Sequence, residues 1–338
     1  MTDRLVSIVV PCYNEAETIP EFYRRLIALA GTLSSGQWEF VFVNDGSNDE
    51  TPSLLNAFAD TDPRVKVLHL AQNRGHQVAL TAGLDYALGD IIVTIDADLQ
   101  DPPEIISKMI EKIDEGYDVV HAQRTQREGE TMFKLITARI FYRLMRWFSN
   151  TPIIENCGDF RAFNRKVLEA VCAFRAYNRF LRGIFVQVGF RQTIIPYSRD
   201  ARYAGKTKYS LFKMINLAID ALLGFSAVPI RVISIASIVL WCFSLFFLAK
   251  SLIEHFVLKI TVPGWTSIIV LMTFFVGLIL FSIAIVGAYV GKIFLQSQNP
   301  PLYWLSDARN IHTGRIKERA AALYEIGLSQ RILSQRNR

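Results

Sequence analysis

With 51% hydrophobic residues over a length of 338, the chain is more apolar than an ordinary soluble protein, and its mean hydropathy is +0.23. Its net charge of +6 fits nucleic acid, an anionic membrane surface or phosphorylated substrates equally well. The four cysteines form no CxxC pair and no Cys/His cluster with zinc spacing, which argues against a disulfide framework or a structural zinc site. We therefore expect a reducing compartment and a chain that lies partly in a membrane.

Short apolar runs alternate with segments of helical periodicity over the first 123 residues. The apolar runs predict five strands, at residues 5–10, 40–43, 65–70, 91–95 and 119–120. The segments between them predict four helices, near residues 16–29, 51–59, 76–88 and 103–115. Strands that are apolar on both faces and alternate with helices form parallel sheets covered on both sides, so we predict an α/β domain of Rossmann-like build. The first apolar run is too short for a signal peptide, and we expect this domain to stay in the cytosol.

Polar residues follow four of these strands, at residues 11–15, 44–47, 73–76 and 96–98. Because ligands bind at the carboxyl ends of strands in such sheets, we expect these residues to converge on one cleft.

Two amphipathic segments follow the α/β pattern, at residues 132–148 and 209–229. Each is interpreted either as a helix lying in the membrane interface or as a helix packed on the α/β domain.

Two long apolar segments, residues 230–252 and 267–290, each exceed the roughly 20 residues needed to cross a bilayer. The alternative is a pair of helices buried in a large soluble core. The connector at 253–266 holds no cluster of positive charge, whereas the outer flanks of the two segments do. The positive-inside rule therefore predicts a multi-pass protein of the inner (plasma) membrane with both termini cytoplasmic. We divide the chain into a cytosolic domain (1–208), an amphipathic segment (209–229), the two spans and a cytosolic C-terminal tail (291–338). Homo-oligomerisation through the tail stays open.

A pair of carboxylates ends the fourth predicted strand, in the sequence Asp96-Ala97-Asp98. We interpret these carboxylates as ligands of a divalent cation, because Mg²⁺ and Mn²⁺ prefer oxygen ligands. Such a cation would allow a diphosphate to bind beside two carboxylates that would otherwise repel it. The alternative is that these residues cap the helix that follows, which is our interpretation of Asp101.

Six ordered motifs together resemble one enzyme family: SIVVPCYNE (7–15), VNDGSND (43–49), NRGHQVALTAGLDYALGD (73–90), DADLQDPPE (96–104), GDFRAFNR (158–165) and RYAGKTKYS (202–210). They are similar to motifs of the GT-A, family 2 glycosyltransferases that load a sugar onto a polyprenyl phosphate, which include dolichyl-phosphate mannose synthases and bactoprenol glucosyltransferases. The resemblance covers residues 5–210 and implies a GT-A fold, a nucleotide-sugar donor, a lipid-phosphate acceptor and Mg²⁺ or Mn²⁺.

The resemblance also implies roles for residues at matching positions. Pro11, Tyr13 and Glu15 match the lining of the nucleoside pocket, and Asp45 matches an acidic residue near the base or ribose. The metal ligands are expected to be Asp96, Asp98 and Gln100.

Cations are expected to meet the phosphates. Arg124, Arg202 and Lys208 are the candidates, and a bidentate guanidinium suits phosphate geometry. Asp159 matches a position close to the sugar, with Arg161 as support, although an Asp–Arg structural pair is the alternative. His76 receives no role.

The predicted activity is inverting transfer of a hexose, glucose from UDP-glucose, to undecaprenyl phosphate or a related lipid, with Asp98, Asp159 and Arg202 as the central catalytic residues. A phosphate monoester has a second pKa near about 6 and reaches the site already ionised, so no catalytic base is required. The alternatives are another donor, GDP-mannose or a UDP-aminoarabinose derivative, or a non-catalytic membrane protein that binds nucleotide sugar or lipid. No nucleic-acid partner is expected.

Overall fold

A computed structural model describes residues 4–32, 36–125, 157–175, 181–198, 264–298 and 301–311, together with isolated residues between 233 and 253. The chain divides into two units. The first consists of Met1–Tyr142, Thr151–Lys208 and Pro301–Arg338, and the second of Arg143–Asn150 and Tyr209–Pro300.

Eight strands and seven helices are described. The strands are β1 (Arg4–Cys12), β2 (Gly36–Asn44), β3 (Val65–Leu70), β4 (Ile91–Thr94), β5 (Val119–Arg124), β6 (Cys157–Asn164), β7 (Gln192–Tyr197) and β8 (Leu305–Arg309). The helices are α1 (Ile19–Thr32), α2 (Thr51–Thr61), α3 (His76–Tyr86), α4 (Ile105–Asp114), α5 (Arg165–Ala173), α6 (Leu181–Gln187) and α7 (Trp265–Gln298).

All eight strands form one sheet in the order β7-β5-β6-β4-β1-β2-β3-β8. The central strands β4, β1, β2 and β3 are parallel, as predicted. The sheet as a whole is mixed, because two strands that the sequence did not predict run the other way: β6 is antiparallel to β4 and β5, and β8 is antiparallel to β3. Since β5 is therefore parallel to β4, their carboxyl ends share one edge of the sheet.

Helices cover the sheet on both faces, which confirms the α/β prediction. One apolar core contains Ile8 and Val10 of β1 together with residues of α1, α2 and α4. The other contains Val9 of the same strand with residues of α3, α5 and α6. Alternate residues of β1 thus enter opposite cores, as expected for a strand buried on both faces.

Helix α3 lies very close to the sheet at Gly83. A Cβ atom added there would stand 2.3 Å from Val9 Cγ1 and 3.0 Å from Val43 Cγ2. The close approach brings α3, whose first residue borders the cleft, directly onto β1 and β2.

Gly83→Ala is therefore expected to destabilise the protein by about 1–3 kcal/mol, because the added methyl overpacks the core. The matched control is Gly31→Ala in α1, where an added Cβ meets nothing within 4 Å. That substitution should stabilise the helix by less than about 1 kcal/mol. Thermal unfolding of both variants in detergent measures the contrast, and equal melting temperatures would contradict it.

Helix α7 contains the second predicted span. Its stretch Phe274–Gly291 has a mean hydropathy of 2.4, and none of it is buried in the protein. By length and composition this stretch is able to cross a membrane. The other predicted span (230–252) lies outside the described residues apart from isolated positions, and the amphipathic segments (132–148 and 209–229) lie outside them entirely.

The chain returns to the sheet after α7. Strand β8 pairs with β3, and the side-chain amide of Asn310 donates to the carbonyls of Ala59 and Val65 at 2.7 and 2.8 Å. The hydroxyl of Tyr303 donates to Asp85 at 2.9 Å. The sequence does not predict β8, because Leu-Ser-Asp-Ala-Arg at residues 305–309 lacks the apolar alternation of a buried strand.

Candidate active site

The loops at the carboxyl ends of β1 and β2 interlock. Asn14, in left-handed backbone conformation with φ of 54°, donates its N–H to Ser47 Oγ at 2.9 Å and accepts the N–H of Asn48 at 2.9 Å. The N–H of Glu15 donates to the Thr51 hydroxyl at 2.9 Å. The structure thus brings together two of the four polar segments that the sequence singled out.

A cavity of about 600 Å³ opens beside these loops. Tyr13 contributes an aromatic ring to its wall, and Asn48, Asn56 and Asn73 contribute amides. Aromatic rings and amides are suited to hold the base and hydroxyl groups of a nucleoside. Pro11 is buried in β1, opposite Val43, and positions Tyr13 through the backbone.

Asp45 connects the loop after β2 to the loop after β3. Its two carboxylate oxygens accept the N–H groups of Arg74 and Gly75 at 2.7 and 2.9 Å. Burial raises the pKa of this carboxyl, while the two N–H donors lower it. Asp45 therefore organises the loop that precedes α3, and its remaining lone pairs stay available as acceptors.

Asp96 and Asp98 lie on the loop after β4. Asp96 Oδ1 is a buried atom that accepts no hydrogen bond from the described residues. Burial raises the pKa of Asp96, the charge of His76 lowers it, and three neighbouring aspartates raise it, with a net increase to about 6. Asp98 accepts the N–H of Gln100 at 3.1 Å. Between them Leu99 has φ of 59°, an unfavourable conformation for a branched side chain, so this loop is held in shape at an energetic cost.

Cations gather around Asp159 on β6. Arg182 of α6 reaches both of its oxygens, at 3.2 and 3.0 Å, while Arg161 and Gln77 lie at 3.4 and 3.1 Å. Burial raises the pKa of Asp159, but the positive charges of Arg182, His76 and Arg161 hold it well below its usual range. The structural Asp–Arg pair considered as the alternative is therefore present.

His76 stands between two carboxylates. Its Nε2 atom is 3.5 Å from Asp96 Oδ1 and 3.3 Å from Asp159 Oδ2. Burial lowers the pKa of this histidine, but the two carboxylates outweigh it and raise the pKa to about 9. The ring is accordingly protonated at neutral pH and counters the charge of Asp96.

Arg124, the last residue of β5, lies at the same sheet edge as Asp96. Its Nη2 is 3.4 Å from Asp101 Oδ2, and its Nε donates to the Tyr197 hydroxyl at 3.1 Å. Asp101 is fully buried and belongs to this cluster. The interpretation of Asp101 as a helix cap is wrong, because α4 begins after Glu104 and has no side-chain cap.

Two of the predicted phosphate ligands, Arg202 and Lys208, lie outside the described residues. Sequence reasoning missed Gln77, Arg182 and Tyr197, and it gave His76 no role. Only His76 carried a signal, since it sits in the polar segment that follows β3. Arg182 is a single cation within an apolar helix, so its pattern does not distinguish it from a surface arginine.

Residues 7–172 match the family model Glycosyl transferase family 2. The chain is 43% identical over 310 residues to the uncharacterized glycosyltransferase YkcC of Bacillus subtilis (strain 168), covering 92% of this chain and 96% of that protein. It is 38% identical over 304 residues to the bactoprenol glucosyl transferase of Shigella phage SfV, covering 90% and 99%.

Among solved structures, the mannosyltransferase PcManGT from Pyrobaculum calidifontis, in complex with GDP-Man and Mn²⁺, is similar with a TM-score of 0.44. That likeness has 21% sequence identity and covers 66% of this chain and 70% of the other. The two relatives match about nine-tenths of the chain, and the family model matches residues 7–172. These matches establish that the chain is a glycosyltransferase and belongs to glycosyl transferase family 2.

Proposed function

We propose that the chain transfers glucose from UDP-glucose to a polyprenyl phosphate, with inversion at the anomeric carbon. The observation that carries this proposal is the buried oxygen Asp96 Oδ1, which accepts no hydrogen bond from the described residues at the carboxyl end of β4. A buried carboxylate oxygen without a hydrogen bond is unfavourable unless positive charge compensates it. His76 Nε2, which is 3.5 Å away and is shared with Asp159, supplies part of that charge, and a divalent cation would supply the rest. The name of the phage relative, bactoprenol glucosyl transferase, supports glucose as the sugar and a lipid phosphate as the acceptor.

The residues of the β4–α4 loop fit a divalent cation. Asp96 and Asp98 would hold Mg²⁺ or Mn²⁺, and Gln100 offers a further oxygen. No group of three His, Cys, Asp or Glu side chains with metal-site geometry occurs among the described residues. A cation held by Asp96 and Asp98 would take its remaining ligands from the Gln100 amide, water or the donor's phosphates. When bound, the cation would neutralise the donor's diphosphate and stabilise its charge as it leaves.

The protein's own task is to bind and orient two phosphorylated substrates. Lipid phosphate arrives as a nucleophile that is already ionised, since its second pKa is about 6. Arg182 carries a half-exposed guanidinium that Asp159 fixes through two bonds, and it is suited to meet that phosphate. We assign Asp159 the role of aligning Arg182 and His76. Arg202 and Lys208 remain proposed ligands of the same phosphate, and Glu15, beside Tyr13, remains a proposed part of the nucleoside pocket.

The return of the chain to the sheet supports a two-span anchor. Strand β7 precedes the apolar segments in sequence and β8 follows them, yet both belong to one sheet. The two ends of residues 209–300 therefore lie on one side of any membrane that the segment crosses, which requires an even number of crossings. Helix α7 supplies one crossing, and we assign the other to residues 230–252. The positive charges outside the connector put the sheet on the cytoplasmic side.

Purified protein in detergent tests this function. We would incubate it with polyprenyl phosphate, Mn²⁺ or Mg²⁺, and a panel of radiolabelled nucleotide sugars, each with and without EDTA. We expect butanol-extractable label from UDP-glucose, loss of that label with EDTA, and its return when excess metal is added. Label from GDP-mannose or a UDP-aminoarabinose derivative instead would overturn the donor assignment. Absence of label from every donor would overturn the activity.

A further inference from the structure

A closed ring of hydrogen bonds surrounds the guanidinium of Arg124. Its Nε donates to the hydroxyl of Tyr197 at 3.1 Å, and that hydroxyl in turn donates to Asp101 Oδ1. The ring closes where Arg124 Nη2 approaches Asp101 Oδ2 at 3.4 Å. Burial and the neighbouring carboxylate raise the pKa of Tyr197 well above its ordinary value, so the hydroxyl keeps the proton that it donates. These bonds use two of the three guanidinium nitrogens, and Nη1 is a further donor.

The ring joins three separate parts of the fold. Asp101 directly follows residues 96–100, which would hold the metal, and it has no exposed surface. Arg124 and Tyr197 end the neighbouring parallel strands β5 and β7, where they are partners in register. The three side chains therefore fix a cation relative to the loop that carries Asp96 and Asp98.

Gly158 completes the enclosure from β6. A Cβ atom added there would stand 2.8 Å from Arg124 Nη2 and 3.3 Å from its Cζ. The atoms that would be struck are at the far end of a flexible side chain, so an alanine would displace the guanidinium rather than the backbone. Gly158 also has ordinary backbone dihedrals, since it is absent from the residues with positive φ. The glycine is thus required for the position of Arg124 and not for a turn.

We propose that Asp101, Tyr197 and Gly158 are positioning residues that hold the Arg124 guanidinium against the diphosphate of the nucleotide sugar. This proposal rests on the proposed function. The ligand of Arg124 is expected to be a phosphate group, because the guanidinium is held near the two carboxylates that would bind the metal. The guanidinium and the metal would then contact the same anion. The three residues act through Arg124 and need not touch the substrate themselves.

Two single substitutions test the ring with matched controls. Tyr197→Phe removes only the hydroxyl, and its control is Tyr23→Phe, which removes a tyrosine–aspartate bond of 3.1 Å to Asp62. Asp62 precedes β3 and so lies at the opposite edge of the sheet from the carboxyl ends. Gly158→Ala displaces the guanidinium, and its control is Gly31→Ala. We expect Tyr197→Phe and Gly158→Ala each to lower kcat about tenfold and to weaken UDP binding in Mn²⁺ measured by calorimetry, while both controls match wild type.

A double-mutant cycle separates positioning from general damage. In an Arg124→Gln background, Tyr197→Phe and Gly158→Ala should each change kcat and UDP affinity by less than about twofold, since the group that they position is gone. The same factor in both backgrounds would overturn the proposal. The calorimetry needs no turnover, so it reports even where Arg124→Gln is nearly inactive. Wild-type protein that neither binds UDP nor transfers sugar would instead refute the proposed function, whereas an active wild type without coupling refutes only the ring.

Discussion

Replacing Asp96 with asparagine is expected to lower the rate of sugar transfer by about a hundredfold to a thousandfold while the protein stays folded. The amide has the same shape but no charge, so it holds a divalent cation poorly. It also removes a carboxylate whose ionised form is disfavoured by burial and by the neighbouring aspartates. We therefore expect the melting temperature of the metal-free variant to equal or exceed that of wild type, as is common when a functional charge is removed.

Transfer assays and thermal unfolding with and without Mn²⁺ measure both effects. Added Mn²⁺ together with UDP should raise the melting temperature of wild type and leave that of Asp96→Asn unchanged. Asp60→Asn, on the exposed side of α2, is the matched control and should behave as wild type. Normal turnover by Asp96→Asn would remove the metal from the proposed mechanism.

The second large effect is expected at Asp159. Substitution by alanine should lower the free energy of unfolding by about 3–5 kcal/mol, because it leaves the guanidinium of Arg161 buried without its counter-charge. Arg161 is only 2% exposed, lies 4.3 Å above the ring of Phe185, and already has one nitrogen without a hydrogen bond among the described residues.

Arg182→Gln provides the comparison, since it removes a partner of the same carboxylate that is 40% exposed. We expect it to lower stability less than Asp159→Ala does, because Arg161 and His76 remain beside the buried carboxylate and no guanidinium is left buried without a counter-charge. It should nevertheless reduce transfer, whereas Asp159→Ala should reduce both transfer and stability. Chemical denaturation of the two variants in detergent tests the contrast, and similar losses of stability would show that burial does not separate the two arginines.

The first half of the sheet was predictable because its strands are continuous apolar runs. The predicted strand at 65–70 has the bounds of β3, and the predicted helix at 103–115 contains α4. Strand β6 escaped prediction because it carries Asp159 and Arg161 inside the sheet, and charged residues in a short segment indicate a motif rather than a strand. Only the folded chain shows that these two charges compensate each other in the interior.

The site was predictable to the extent that its chemistry lies within one loop. Asp96, Asp98 and Gln100 are neighbours in sequence, so their pattern was visible. The partners of Arg124 were not, since Tyr197 reaches Arg124 through the pairing of β5 with β7 and is 96 positions from Asp101, which lies on the loop after β4. Arg182, on helix α6, reaches Asp159, on strand β6, across 23 positions of sequence. Contacts of this kind leave no periodic trace in a single sequence.

Strand β8 also sets the order in which the protein can be completed during synthesis. The ribosome makes β3 some 240 residues before the strand that covers its edge, and all of residues 209–300 emerge in between. Throughout that interval the edge of β3 presents unpaired backbone groups, and Asp85 lacks the hydroxyl of Tyr303. The sheet is therefore completed only after residues 209–300 have left the ribosome, so the apolar part of the chain is synthesised before the catalytic domain is whole.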